Sequence, residues 1–200
     1  MQLITRHFIA AAFNNAWANH RLLGACARLS QADFAATRVS FFPSIKATLN
    51  HNLTVDAYYL DAMQRSLRGD PPHPDSRSFF DPEEPHERCA ELIEAQRALD
   101  RALIALCQSI TLDEGRLEHI VDVPRTDHID PEPMHRLLAH LFEHQTHHRG
   151  QAHAMLAGTK VPPPQLDEFY CANDAARRAE DFRVLGFSEV GIWQAERPLE

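Results

Sequence analysis

Phe8, Ala12, Asn15, Asn19, Leu22, Cys26 and Leu29 follow one another at alternating steps of four and three. Only a helix gathers that spacing onto a single face. It predicts an amphipathic first helix over about Ile4 to Leu29. Proline and glycine mark out three more. Ser44, after Phe41-Phe42-Pro43, is the expected N-cap of a second helix reaching about Leu67, where Gly69 and Asp70-Pro71-Pro72 stop it. Asp81-Pro82-Glu83-Glu84 reads as the start of a third, with Asp capping and acids in the first turn. Its seam of Leu92, Ala95, Leu99, Ala102 or Leu103, and Leu106 runs to near Ile110. Asp130-Pro131-Glu132-Pro133 reads as the opening of a fourth, which runs to about Ala157 and ends at Gly158. Between the last two, Leu117 to Val123 alternates weakly, as a short strand or hairpin arm would.

Four amphipathic helices, none apolar all round, bury their stripes most simply against one another, so the expected fold is an all-α four-helix bundle over residues 1–170. The links of about 14 and about 20 residues are long for such a bundle and are expected to pack over it or cover one end. Residues 171–200 form an expected C-terminal tail packed on the bundle. It carries a helical stretch around Asp174–Arg183 and an apolar end whose Phe187 and Trp193 need cover.

Charge narrows the function. Twenty basic against 28 acidic residues give −8 with histidine neutral, which argues against a nucleic-acid groove and against a basic membrane-surface patch. No apolar run approaches the roughly 20 residues that span a bilayer. The start of the chain lacks the pattern of a secretory signal, so the expected compartment is the cytoplasm. There the separated Cys26, Cys89, Cys107 and Cys171 are expected to be reduced, buried residues.

Thirteen histidines are more than a core or a surface requires. On the fourth helix the inward seam is read as Leu137, Leu141, His144, His148, Ala152 or Gln151, and Met155, so two imidazoles stand where a purely structural bundle would place leucine. One turn apart on one face, they have the spacing at which two neutral imidazoles ligate one divalent ion. A lone inward histidine is ordinarily a hydrogen-bonded core residue, and burying two demands partners for both rings. His51 on the second helix shares an inward stripe with Ser44, Thr48, Val55 and Tyr58. Periodicity permits it as a third ligand without fixing its distance from the pair.

The neighbours divide by helix position. His147 lies one residue off the seam and is a candidate to touch the site. Gln151 is a candidate hydrogen-bond partner for a ligand or a bound water. Asp56 could accept from an imidazole N–H, and Tyr58 or Tyr59 could line a pocket. Asn15 and Asn19, unusual on a core seam, are expected to face the same cavity. Arg149 is expected to point away, paired with Glu143 or Asp56, and the other histidines, His140 among them, to lie on the surface or the flank.

His51 within LNHNLTVDAYYLDAM, taken with HQTHHRGQAHAML, FNNAWANHRLL and PPPQLDEFY, resembles the DinB/YfiT-like superfamily of bacterial metal-binding four-helix bundles. The resemblance reaches to about Tyr170. It implies His51, His144 and His148 as the three ligands of one divalent transition metal, nickel or zinc, with open positions for water or a small-molecule substrate, and a homodimer. Three protein ligands agree with a catalytic-type site, since structural zinc sites are normally closed by four. Relatives include thiol-dependent S-transferases and an isomerase. By that analogy the chain is expected to be a metal-dependent transferase or hydrolase in stress response or detoxification, with a low-molecular-weight thiol as cosubstrate. The alternative is a non-catalytic, stress-induced metal-binding protein.

Overall fold

The computed structural model describes residues 3–110 and 114–193. Residues 111–113, in the link after the third expected helix, and 194–200, at the end of the expected tail, lie outside the described residues. Four long helices carry the architecture: α1 (Leu3–Cys26), α3 (Ile45–Arg68), α4 (Cys89–Ser109) and α5 (Met134–Ala157). α1 lies against α4 and α5, and α3 lies against the same two. A short α2 (Gln31–Ala35) packs on α3. A hairpin of β1 (Ile120–Pro124) and β2 (Ile129–Pro133) lies against α3 and α5. None of the described helices is long and apolar enough to cross a membrane.

Local chemistry sets the ends of α3 where they were expected. The Ser44 side chain accepts from the Ala47 N–H, and Gly69 closes the helix in the left-handed region at φ 75°.

Two helix starts differ from expectation. α4 begins at Cys89, not near Asp81, and the Glu91 carboxylate reaches back to the Arg88 N–H at 3.2 Å. Pro85 is the reason. It biases Glu84 away from helical backbone, so the acidic run cannot be a first turn. By the same rule Pro131 and Pro133 hold Asp130 and Glu132 extended. That stretch becomes β2, pairs antiparallel with β1 in the register Val121 to Glu132, and leaves Met134 to start α5.

The C-terminal segment forms α6 (Ala175–Leu185) and α7 (Glu189–Trp193), both against α1. Trp17, fully buried, donates from Nε1 to Asp181 at 2.9 Å, and Phe13 meets the edge of Phe187. All four cysteines are free; Cys26 and Cys107 are buried, whereas Cys89 is half-buried and Cys171 exposed.

At the centre is a polar network that draws on all four long helices. Arg149 of α5 is buried and donates from Nη1 to Asn15 and Asn19 of α1 and to its own helix's Gln145. Asn15, Asn19 and Gln96 all donate to Asp100 Oδ1 at 3.0–3.2 Å, and Gln96 also donates to Asp56 of α3 at 2.9 Å. The arginine therefore does not point outward. It is a cation tied to Asp100 through two asparagine amides, which is why polar residues occupy the core seam of α1.

Burial pushes the Asp56 carboxyl up to about 7, and the neighbouring Asp100 adds to that. Burial also lifts Asp100, to about 6, against the amide donors and Arg149. One guanidinium beside two carboxyls is balanced when the pair keeps one proton. A carboxyl whose folded pKa lies above its unfolded value near 4 stabilises the fold at low pH, and that contribution is lost as pH rises through about 7. Asp56→Asn mimics the protonated form. Its urea midpoint should gain on wild type progressively from pH 5 to pH 8, and a constant difference would contradict the shared proton.

Candidate metal centre

α3 and α5 lie side by side, and His51 meets His144 and His148 where they do. The three ring centroids are 5.0, 4.8 and 4.5 Å apart, close to an equilateral triangle. One ligand atom from each lies within 4.8 Å of the other two, so the cluster could hold a metal ion. The innermost line of α5 is not the expected seam. It runs through Leu138, Leu141, Gln145, Arg149, Ala152 and Leu156, all buried. His144 and His148 flank that line, which keeps them beside the core yet within reach of a cavity.

The chain prepares the rings as neutral donors. Burial lowers the pKa of His51 to about 4 and that of His144 to about 3, reinforced by the neighbouring imidazoles, and it lowers that of His148. His51 Nε2 and His144 Nε2 face each other at 3.0 Å. Two neutral imidazoles hold that approach only if one ring donates a proton, and a cation can take the proton's place. His148 Nδ1 is 2.8 Å from Gln151 Oε1. An amide oxygen can only accept, so the proton sits on Nδ1 and Nε2 keeps its lone pair. His144 Nδ1 is buried and has no hydrogen-bond partner among the described residues, so that ring's polar contacts there lie on the cluster side. Phe42 covers His51 and His148 at 4.3 and 5.4 Å between centroids, shielding the cluster from that direction. Three uncharged nitrogen donors suit a divalent transition metal and leave its charge uncompensated by protein.

A cavity of about 370 Å³ opens beside His51 and His144. Tyr58, Tyr59 and Val55 of α3 line it together with His140 of α5, and the two long links complete it with Arg77, Phe80, Pro124 and Arg125. The Tyr58 hydroxyl donates to the Pro124 carbonyl at 2.5 Å, fastening the hairpin over the cavity.

Of the residues singled out from sequence, His51, His144, His148, Gln151 and Tyr58 come together here. His147 is joined through Gln151, whose Nε2 donates to its ring at 3.0 Å. Asp56 does not join them: it bonds Gln96 rather than an imidazole. Asn15 and Asn19 serve Arg149 and Asp100 and do not line this cavity. Arg77, Arg125 and Phe80 were missed because their links carry no periodicity that would place them. His140, expected on the flank, is exposed but lines the cavity, a role that its place one turn before His144 could have signalled.

A mostly helical framework with three converging imidazoles beside a cavity defines a helical protein whose histidine cluster could hold a divalent metal. The DinB family model matches residues 7–179, and the chain belongs to that family. No curated protein matches it.

Gln151 fixes the His148 tautomer, and removing such a partner typically lowers metal affinity about 10- to 100-fold. Gln151→Leu should therefore weaken zinc binding by that order in competition with a chromophoric chelator. Wild-type affinity in the variant would show that the amide does not orient the ring.

Proposed function

We propose that this DinB-family chain is a four-helix bundle that binds one divalent metal ion, nickel or zinc, through His51, His144 and His148. In this reading it is a metal-dependent enzyme of the thiol S-transferase or hydrolase type, acting on a small molecule in the cytoplasm during stress or detoxification. The observation that carries the reading is the convergence of three neutral imidazoles, with no carboxylate or thiol in the cluster among the described residues, beside a cavity of ligand size. A purely structural metal site would be expected to close with a fourth protein ligand. Four free cysteines suit a reducing compartment.

A divalent ion in this position supplies Lewis acidity, which makes water or a thiol nucleophilic near neutral pH. The chain's own residues do the rest. Gln151 orients His148, and Phe42 excludes water from one side of the cluster. The Tyr58 hydroxyl secures the hairpin wall, while Tyr59 and His140, with ring centroids 5.3 Å apart, continue the cavity towards His144.

Mass spectrometry on untagged protein tests the site. About one divalent ion per chain is expected in wild type and none in His148→Ala. The metal-loaded wild type should then turn over a thiol, ester or peptide substrate that the variant does not. No ion after reconstitution with zinc and nickel would overturn the reading. A loaded protein silent on every substrate would overturn the enzyme and leave a metal-binding protein.

A further inference from the structure

The cavity beside the histidines presents guanidinium groups in an acidic protein. Against a chain charge of −8, its lining holds, among the described residues, two arginines, Arg77 and Arg125, three histidines, of which burial keeps His51 and His144 neutral, and no carboxylate. The neighbouring surface groove, which shares both arginines, does include Asp75 and Asp127, so the absence of acid is particular to the cavity that reaches His144.

Arg125 is positioned for a ligand. Its Nε is committed to Asp130 at 2.8 Å, which fixes the guanidinium plane. Its Nη1 faces the Tyr58 and Tyr59 hydroxyls at 3.3 and 3.5 Å. Those distances are long for hydrogen bonds, so the donor has capacity left for a stronger acceptor. Arg77 is exposed on the turn at Ser76–Phe79; after His128, it helps hold the Asp127 carboxyl below its usual range but forms no close ion pair among the described residues. Two ring contacts, Tyr59 on His140 and His140 on His144, lead from the Arg125 end of the wall to the histidine cluster. Val55, Phe80 and the tyrosine rings supply apolar wall.

From this we infer that the cavity binds a small organic anion, its carboxylate or phosphate held by Arg125 and Arg77 and its apolar body directed towards His144. The planar guanidinium fork suits either anion, and the volume admits a small molecule rather than a polymer. The inference rests on the metal-centre reading only in placing the reacting end of the ligand at the histidines. Anion binding itself needs the arginines and not the ion.

Calorimetric titration of the full chain with benzoate, phenyl phosphate and neutral benzamide, each with chelator-treated and with zinc-loaded protein, tests it. At least one anion should bind in both forms, and added salt should weaken it. Benzamide should bind at least about tenfold more weakly, since a hydrogen bond to a charged group typically accounts for that much. The tighter of the two anions identifies the headgroup. Arg125→Gln and Arg77→Gln should each lose about tenfold in anion affinity, with thermal unfolding reporting the fold. Arg77→Gln guards against loss of the hairpin, because Arg77 forms no close ion pair among the described residues. Equal binding of benzoate and benzamide, binding of neither anion, or affinities unchanged in both variants would overturn the inference. So would an anion that binds only with zinc and ignores the arginines, because it would then be a ligand of the ion. That last result would leave the metal-centre reading standing, whereas anion binding to a chain that takes up no metal would support this inference and sink that reading.

Discussion

Arg149 carries a charge almost wholly withdrawn from water, and the packing of the four long helices is arranged around satisfying it. A buried cation is tolerated only where donors meet acceptors and a counter-charge is near. Here the acceptors come from α1 and α5 and the counter-charge from α4, with Gln96 carrying the network on to Asp56 of α3. Such a network adds little net stability over an apolar core, but it penalises every other alignment, since sliding α5 by one turn would strand a charge. The register it enforces sets His144, one residue before Gln145, and His148, one residue before Arg149, opposite His51.

The same helix thus serves two environments. Its innermost line closes the core, and the adjacent line carries the histidines at the core's edge, dry enough to keep the rings neutral and open enough to meet a ligand. The long links complete the other side. The β1–β2 hairpin, fastened by Tyr58 to the Pro124 carbonyl, brings Arg125 to the cavity. The segment between α3 and α4 brings Arg77 and Phe80. The scaffold holds the three clustered rings, and the links shape what can reach them.

Where each helix runs was largely legible from sequence, because periodicity and proline act locally. Ser44, Gly69 and Gly158 mark ends that the structure keeps. The errors lie where two local rules compete: Pro85 overrides the acidic first turn, and Pro131 with Pro133 turns a helix start into a strand. The histidine set was legible in kind, since imidazoles one turn apart beside an apolar line are conspicuous, and their distances were not, since helix adjacency is a property of the whole fold. Arg149 was misplaced for a related reason. A charged residue one position from the assumed seam looks solvated until partners on another helix are known, and Asn15 and Asn19 were those partners, read instead as cavity residues.

X-ray absorption on the zinc-loaded protein addresses the central claim, that three imidazoles and nothing else from the chain hold the ion. The account predicts imidazole nitrogen scattering at about 2.0–2.1 Å, with the remaining first shell made up of light atoms. Sulfur at about 2.3 Å, or a first shell without imidazole, would contradict it.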